Sequence, residues 1–267
     1  MLENVVVAVT GAAQGIGRSI ALKVASLGAD VCLADINLDG AEAVADEIRD
    51  LGRNAMAVRV DVTDPTSTED LMRSVTQNFG RLDVAVCNAG IVQVKPFFDI
   101  TAEDWNRTMT VNGLGTFLTL QSAARVMREQ TPLSPGRPSG KIINMASIAG
   151  RYGAGAMAPM TPHYRASKAA VISLTQTASF GLAPKITVNA VCPGIVDTDM
   201  WTQIDREWSE AEDLLPGEAW RSRTAAIPMG RPQTPTDVAE VVGFLCSSSS
   251  DYMTGQSINV DGGLFMS

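Results

Sequence analysis

The chain has 267 residues, of which 45% are hydrophobic and 19% are charged; these proportions are typical of a globular protein with a sizeable core. Its formal net charge is −8, and without a lysine- or arginine-rich run it is not expected to bind nucleic acid or an anionic membrane. The apolar runs fall short of the roughly 18 residues that span a bilayer. The N-terminal MLENVVVAVTG lacks the basic region of a signal peptide, so we expect a cytoplasmic protein.

Short apolar runs alternate with longer periodic segments along the chain. The runs are rich in β-branched residues and continuous, as in strands buried on both faces, and we predict strands at 5–9, 31–34, 55–60, 84–87, 141–145, 186–192 and 257–260. Helices are predicted at about 15–28, 39–51, 66–79, 103–129, 163–182 and 235–247. This alternation predicts an α/β fold, a Rossmann-type doubly wound parallel sheet of about seven strands with helices on both faces. No linker divides it, so residues 1–267 are predicted to form a single domain.

The first predicted strand leads into TGAAQGIG, a turn with glycines spaced G-x-x-x-G-x-G. In a dinucleotide site Gly11 would permit the tight turn, Gly15 would let the backbone approach the pyrophosphate, and Gly17 would pack helix against strand. The helix that follows directs its free N–H groups and positive dipole end at the phosphates. Because the turn lies between a strand and a helix, it predicts a dinucleotide site.

The second predicted strand ends at Asp35, which is followed by Ile36 rather than by a basic residue. A carboxylate there can accept hydrogen bonds from the ribose hydroxyls and would repel a 2′-phosphate, which predicts NAD rather than NADP. Asp61, at the end of the third strand, is a predicted contact of the adenine amino group. Its alternative role is a helix cap, for which Asp64 is better placed.

Two further polar positions follow later strands. CNAG, residues 87–90, closes the fourth strand, where Asn88, Ala89 and Gly90 would let the backbone pass under the adenosine ribose. Asn112 lies among apolar residues within the long helix predicted at 103–129, and a buried amide needs hydrogen-bond partners. We expect a kinked helix here that relays protons through water to Lys168; a plain buried amide is the alternative.

HYRASK places Tyr164 and Lys168 four residues apart, on one face of a helix. An ammonium about 5 Å from the phenol would favour the phenolate by roughly 3 kcal/mol at an effective dielectric constant of ~20. A bound oxidised nicotinamide would add further positive charge, and together we expect them to lower the tyrosine pKa towards the working pH of a general base. Ser147 follows the fifth strand, at the edge where an open sheet binds its ligands, and can hold a substrate oxygen. His163 and Arg165 are expected to point away from the tyrosine face.

The stretch 199–228 contains Trp201, Trp208 and Trp220 among many charged residues. Long ordered connections in compact domains are usually functional, so we expect a lid over a site, with an ordinary surface helix pair as the alternative. The cysteines are interpreted as free thiols of the core, because each lies in or beside an apolar run and none forms a C-x-x-C pair. The chain has one histidine, and no metal site is expected.

These motifs resemble those of the short-chain dehydrogenase/reductase family over nearly the whole chain. TGAAQGIG resembles its cofactor turn, CNAG its fourth-strand motif with Cys87 in place of the usual asparagine, CPGIVDT its Pro-Gly segment and SINVDGG its C-terminal strand. The catalytic tetrad of the family is matched by Asn112, Ser147, Tyr164 and Lys168. The resemblance implies that Tyr164 takes the hydroxyl proton, that Ser147 orients the oxygen, and that Lys168 binds the nicotinamide ribose.

Together, the residues and the resemblance predict a complete site. The predicted cofactor contacts are Gly11, Gln14, Gly15, Ile16, Gly17, Asp35, Asp61, Val62, Asn88, Ala89, Gly90, Tyr164, Lys168, Pro193, Gly194, Val196 and Thr198. The predicted substrate contacts are Ser147, Ile148, Tyr164 and Trp201. In the family, the Pro-Gly segment holds the nicotinamide carboxamide through Thr198 and the backbone near Ile195 and Val196.

The expected activity is NAD-dependent interconversion of a secondary alcohol, of the diol or polyol class, and its ketone. The segment 199–228 resembles that of acetoin reductases, 2,3-butanediol dehydrogenases and, more loosely, sorbitol-type polyol dehydrogenases. Ile148 offers no hydrogen bond and favours a more apolar alcohol or ketone. The 17-residue interval from Ser147 to Tyr164 exceeds the commonest spacing of the family and is expected to reshape one pocket wall. The resemblance also implies a homotetramer.

Three alternatives stay open. A 3-oxoacyl-[acyl-carrier-protein] reductase would need a basic patch for its acidic carrier and would prefer NADP, and the net charge of −8 and Asp35 count against both. A catalytically silent NAD-binding protein would have a broken tetrad, whereas this tetrad is complete. A methyltransferase of similar strand–helix rhythm would not need Tyr164 and Lys168.

Overall fold

The computed structural model describes residues 1–266, and a single seven-stranded sheet lies at its centre. The strands are β1 (Val6–Thr10), β2 (Asp30–Asp35), β3 (Ala55–Arg59), β4 (Val84–Cys87), β5 (Gly140–Met145), β6 (Ile186–Pro193) and β7 (Ser257–Val260). The α-helices are α1 (Gly15–Ser26), α2 (Leu38–Asp50), α3 (Pro65–Phe79), α4 (Ala102–Met109), α5 (Gly115–Met127), α6 (Pro162–Leu182), α7 (Asp199–Glu212), α8 (Glu218–Ala225) and α9 (Pro235–Cys246). The predicted α/β class is confirmed.

The strand order is β3-β2-β1-β4-β5-β6-β7, and each neighbouring pair is parallel. The chain runs from β1 to one edge of the sheet and then crosses to β4 on the other side of β1. This reversal leaves a crevice at the carboxyl ends of β1 and β4, which is where open α/β sheets bind their ligands. The fold therefore places the glycine turn, CNAG and Ser147 at one edge.

Apolar side chains fill both faces of the sheet, as the continuous apolar strands predict. On one face the sheet packs against α1, α2 and α9, with Ile20, Ile48 and Val242 fully buried. On the other face it packs against α3 and α5, with Leu71 and Met127 in the core. The helices on each face thus bury one apolar side against the sheet. The sheet edge that carries the polar residues stays accessible between the two helix layers.

The long helix predicted at 103–129 is interrupted. Thr110–Leu114 forms a π-helical turn between α4 and α5, with the buried Asn112 at its centre. The Thr116 hydroxyl donates to the Asn112 carbonyl at 2.7 Å, so a side chain satisfies a carbonyl that the widened turn displaces. The π-helical turn lies where the kink was predicted, and the water relay to Lys168 stays a prediction. Asp64 caps α3 by accepting from the Thr66 N–H at 2.9 Å, as the sequence predicts.

The segment 199–228 contains the helix pair α7 and α8, and Trp201, Ile204 and Arg223 of this pair line the cavity described below, so a lid role stays a prediction. The Asp205 carboxylate joins the two helices by accepting from the N–H groups of Gly217 and Trp220, at 2.7 and 2.8 Å. The Trp201 and Trp220 rings meet edge to face, with centroids 5.5 Å apart. A separate apolar cluster beneath the pair includes Met157, Met160, Ile204 and Trp208. The helix pair therefore packs on the segment between Ser147 and Tyr164.

Two bulk expectations concern burial and hydropathy. The four cysteines are buried and free, as predicted. Burial raises the pKa of the Cys32 and Cys246 thiols to about 12, so they stay protonated in the core. Across residues 1–266, none of the helices combines the length and apolar character that crossing a membrane requires.

Candidate functional site

A cavity of about 690 Å³ opens at the carboxyl ends of the strands. It is lined by all the predicted cofactor contacts and all the predicted substrate contacts, from the glycine turn to Trp201. Of the predicted tetrad, Ser147, Tyr164 and Lys168 line it, whereas Asn112 does not. The sequence motifs, which are scattered over almost 190 residues between Gly11 and Trp201, thus meet at one place.

The glycine turn is shaped by close backbone contacts. Gly11 and Gly15 have φ angles of +65° and +56°, in the left-handed region that favours glycine. A Cβ at Gly17 would lie 2.0 Å from the Gly11 carbonyl oxygen, so no side chain fits there. The Asn88 amide donates to the carbonyls of Thr10 and Gly11 at 2.9 and 3.0 Å, and so attaches the end of β4 to the turn.

The two predicted acidic contacts already make internal hydrogen bonds. The Asp35 carboxylate accepts from the N–H groups of Ala13 and Asn37, at 2.9 Å in both cases, which holds it at the cavity wall. One Asp61 oxygen accepts from the Thr63 hydroxyl at 2.7 Å and from its N–H at 2.9 Å, and these bonds lower the Asp61 pKa. Both side chains are therefore oriented by the chain itself.

Asn112 lies behind the cavity wall and satisfies its amide completely. Its Oδ1 accepts from the Ile91 N–H at 2.8 Å, and its Nδ2 donates to the Ile91 carbonyl and to the Ser167 hydroxyl at 2.9 and 3.0 Å. It thereby connects the segment after β4 to α6. A Cβ at Gly90 would lie 3.2 Å from Asn112 Oδ1 and 3.4 Å from Lys168 Nζ, so Gly90 separates the two side chains. Ser167 was not predicted as a partner, because no spacing rule relates it to Asn112.

The predicted catalytic residues converge at the centre of the cavity. Tyr164 and Ser147 both line the cavity, and the Ser147 hydroxyl accepts from the Ala149 N–H at 3.1 Å. Lys168 Nζ donates to the Met145 carbonyl at 2.8 Å and lies 5.8 Å from the centroid of the Tyr164 ring. An ammonium has three donors, so this one bond leaves two for a ligand or for water.

The chain's own residues do not lower the tyrosine pKa, so the expected lowering, which also counted on the charge of a bound nicotinamide, stays a prediction. Burial raises the pKa of Tyr164, because the phenolate loses its hydration, and the Ser147 hydroxyl opposes this only in part. Burial also lowers the pKa of Lys168 to about 8, which weakens the positive charge on which the expectation depended. Sequence spacing gives the distance between the two groups but not the burial that outweighs their attraction.

Arg165 differs from the sequence expectation as well. It was expected to point away from the tyrosine face, yet it lines the cavity. Its long side chain reaches back over the preceding loop, where Nη1 donates to the Tyr152 carbonyl and Nε donates to the Thr161 hydroxyl at 3.3 Å. His163 does point elsewhere: it is fully buried outside the cavity lining. Tyr152, Met157 and Arg223 complete the substrate end, and sequence reasoning missed them.

Comparison with known proteins agrees with this geometry. Residues 11–265 match the family profile described as Enoyl-(Acyl carrier protein) reductase. The chain is 40% identical to a sorbitol dehydrogenase of Cereibacter sphaeroides, over 100% of this chain and 99% of that protein. It is 42% identical to an L-2,3-butanediol dehydrogenase of Corynebacterium glutamicum, over 96% of each.

A solved structure extends the similarity to three dimensions. A short-chain type dehydrogenase/reductase from Mycobacterium marinum is 36% identical, with a TM-score of 0.85 over 98% of this chain and 96% of that one. Together with the sequence relatives, it makes this chain an alcohol dehydrogenase or ketone reductase that uses a nicotinamide cofactor. The chain belongs to the short-chain dehydrogenase/reductase family.

Proposed function

We propose that the protein is an NAD-dependent oxidoreductase that interconverts a secondary alcohol of the diol or polyol class and its ketone, with Tyr164 as the general base. The observation that carries this proposal is that Ser147, Tyr164 and Lys168 line the same cavity as the glycine turn, with Lys168 Nζ 5.8 Å from the centroid of the Tyr164 ring. The order of these groups along the cavity suits a dinucleotide at one end and an alcohol at the other.

The glycine turn fits a dinucleotide. At Gly17 the start of α1 packs on the Gly11 carbonyl, whereas beside Gly15 the nearest atom to a Cβ position is Thr198 Cγ2 at 3.6 Å, so a ligand can approach the backbone there. The N-cap residue of α1, Gln14, makes no capping bond with its side chain. The first N–H groups of α1 are thus available to a pyrophosphate, whose charge the helix dipole also favours. When bound, the oxidised dinucleotide supplies the hydride acceptor and a positive charge beside the phenol.

The chain's own residues supply positioning and proton transfer. The Ser147 hydroxyl holds the substrate oxygen, and Tyr164 takes the hydroxyl proton during oxidation or returns it during reduction. Lys168, fixed by the Met145 carbonyl, directs its remaining donors at the nicotinamide ribose and favours the phenolate. Since burial alone raises the Tyr164 pKa, the base becomes effective only when these positive charges act together.

NAD is favoured over NADP by Asp35. Its carboxylate lines the cavity and is held there by two backbone N–H groups, so a 2′-phosphate would meet a fixed negative charge. Arg59, the register partner of Asp35 on β3, is exposed, does not line the cavity and makes no ion pair with Asp35 within residues 1–266. The diol or polyol class is supported by the names of the relatives.

A panel of alcohols tests the proposal. Oxidation of 2,3-butanediol, sorbitol, galactitol and 2-butanol is followed at the NADH absorbance, with NAD and with NADP. We expect turnover with NAD and a higher kcat/KM for at least one diol or polyol than for 2-butanol. Reduction of acetoacetyl thioesters with NADPH, without turnover of any alcohol, would instead support the carrier-protein reductase. NADH binding without any turnover would support a silent NAD-binding protein.

We also propose a homotetramer, as the family resemblance implies, in a reducing compartment such as the cytoplasm, where the buried free thiols would stay reduced. Sedimentation at several protein concentrations tests the assembly, and a concentration-independent monomer would contradict it.

A further inference from the structure

Two arginines lie at the substrate end of the cavity. Arg165 follows Tyr164 on α6, and Arg223 belongs to α8 of the helix pair. Both line the cavity and both are half-buried. Positive charge in this position is unexpected in a chain whose net charge is −8, and the chemistry proposed above does not use it.

The two guanidinium groups approach the same short turn, residues 152–155. Arg165 Nη1 donates to the Tyr152 carbonyl, and Arg223 Nη1 lies 4.0 Å from the position that a Cβ would take on Gly155. Their charges affect each other: burial lowers the Arg165 pKa most, and the Arg223 charge lowers it further. The chain therefore holds two like charges close together in a partly desolvated site.

No carboxylate of residues 1–266 lies within 4.0 Å of either guanidinium, whereas Arg137 and Arg231 each form an ion pair. Asp205, the carboxylate that joins α7 to α8, is occupied by backbone N–H groups. Asp199 lines the cavity at the start of α7, but it is exposed and pairs with neither arginine. Nothing in the described chain neutralises this pair.

Arg223 also carries a donor without an acceptor. Its Nε is buried and has no hydrogen-bond partner within residues 1–266. A buried donor that lacks a partner costs free energy, and two adjacent cations add repulsion to this cost. An anion in the cavity would remove both costs at once, because a guanidinium presents its donors in a planar fork that matches carboxylate and phosphate oxygens.

We propose that Arg165 and Arg223 form a subsite for an anionic group of the substrate, a carboxylate or a phosphate. The inference rests on the proposed function and narrows it: the substrate is a hydroxy or oxo compound that bears a negative charge beyond its carbinol carbon. The phosphates of the dinucleotide do not fill this role, since the glycine turn provides their site. Both arginines line the same cavity as Tyr164 and are half-buried, so the subsite suits a small molecule better than a carrier protein.

Matched pairs of alcohols test the subsite. The wild-type enzyme is assayed with 2,3-butanediol against 3-hydroxybutyrate, and with sorbitol against gluconate and sorbitol 6-phosphate. We expect a higher kcat/KM for an anionic member than for its neutral counterpart, and the two sorbitol derivatives separate a carboxylate from a phosphate. Arg223→Gln should reduce the anionic-to-neutral ratio of kcat/KM by about 10- to 100-fold, the loss of a charge-assisted hydrogen bond.

The control is Arg221→Gln, an exposed arginine on the same helix that does not line the cavity. It removes the same net charge from α8 and should leave the ratio within about twofold, since an exposed charge is screened by solvent. A neutral preference in the wild-type enzyme, or an equal change in ratio for both variants, would overturn the subsite. Turnover of acetoacetyl-pantetheine in preference to every free anion would overturn it in favour of a carrier-linked substrate.

A binding measurement keeps this test separate from the test of the proposed function. Calorimetry of Tyr164→Phe with NADH and 3-hydroxybutyrate, gluconate or sorbitol 6-phosphate needs no turnover. Saturable binding that is lost when Arg223→Gln is added to Tyr164→Phe supports the subsite even if no alcohol is oxidised. If the wild-type enzyme turns over neutral diols but neither variant binds an anion, the proposed function stands and the subsite proposal is wrong.

Discussion

The nucleotide end and the substrate end of the cavity differ in how far the chain completes itself. At the nucleotide end, Asn88 and Asp35 have partners within the chain, and a Cβ on Gly17 would strike backbone at 2.0 Å. At the substrate end, Arg223 has a buried donor without a partner within residues 1–266, and Lys168 uses one of its three donors for a hydrogen bond inside the same range. The chain's own contacts therefore fix the shape of the nucleotide end, whereas the substrate end keeps donors that a ligand could bind.

This difference predicts that chemistry and cofactor binding can be separated. Tyr164→Phe removes the proposed base at the boundary of the two ends and leaves the glycine turn untouched. We expect kcat to fall by about 10²- to 10⁴-fold, the usual contribution of a general acid or base. The fluorescence titration of NADH should give a Kd within about twofold of that of the wild-type enzyme.

The matched control is Tyr252→Phe, which removes a hydroxyl from a fully exposed tyrosine. It should leave both kcat and the NADH Kd unchanged. If Tyr164→Phe kept most of the wild-type kcat, proton transfer would not depend on this phenol. If it instead lost NADH binding, the two ends would not be independent.

The nucleotide end is also the part that the sequence predicts best. Its features are local: Gly11, Gly15 and Gly17 lie within one turn, and Asp35 ends a strand whose predicted bounds, 31–34, differ from the observed Asp30–Asp35 by one residue at each end. A short-range pattern fixes the backbone there, because the turn, the helix dipole and the strand end are properties of neighbouring residues. Gly11, Gly15, Gly17 and Asp35 all line the cavity, as this local pattern predicts.

The substrate end depends on contacts between distant segments, which a single sequence does not reveal. Arg165 and Arg223 meet only because α8 packs over the loop before α6, and no spacing rule links the two positions. The pKa of Tyr164 illustrates the same limit: its separation from Lys168 was predictable, but the burial that reverses the direction of the pKa was not. Ser167, the partner of Asn112, comes from a helix 55 residues further along the chain.

A substitution confined to the nucleotide end should change the choice of cofactor alone. Asp35→Ser removes the carboxylate that would repel a 2′-phosphate and leaves exposed Arg59 as the nearest cation in register. We expect the NAD-to-NADP ratio of kcat/KM to fall by about 10- to 100-fold, equivalent to the loss of a charge contact of a few kcal/mol. The ranking of alcohol substrates should not change.

Asp39→Ser serves as the control for this change, because Asp39 is an exposed acid in the first turn of α2. It removes the same charge a few residues away and should leave the cofactor ratio as it is. An unchanged ratio in Asp35→Ser would remove Asp35 from the account of cofactor choice. A changed alcohol ranking would show that the two ends are coupled.

The smallest effect concerns stability behind the cavity, at the start of α6, where His163 is fully buried and neither ring nitrogen has a partner within residues 1–266. Burial lowers its pKa below the ordinary 6.5; the nearby Asp104 opposes this shift, and Lys95 adds to it. The unfolded chain therefore binds a proton more readily than the folded one, so the stability of the fold falls as the pH drops through and below 6.5. His163→Leu removes this linkage while keeping the site apolar.

We expect the melting temperature of the wild-type protein to fall more between pH 7.5 and pH 5.5 than that of His163→Leu. Between pH 7.5 and pH 8.5 the melting temperatures of the two proteins should change by the same amount, because the histidine is neutral in both the folded and the unfolded chain. Since the chain has a single histidine, and most carboxylates titrate at lower pH, this window reports mainly on one side chain. Parallel curves across the whole range would mean that His163 acquires a proton as easily in the fold as outside it, which would require a partner for its ring.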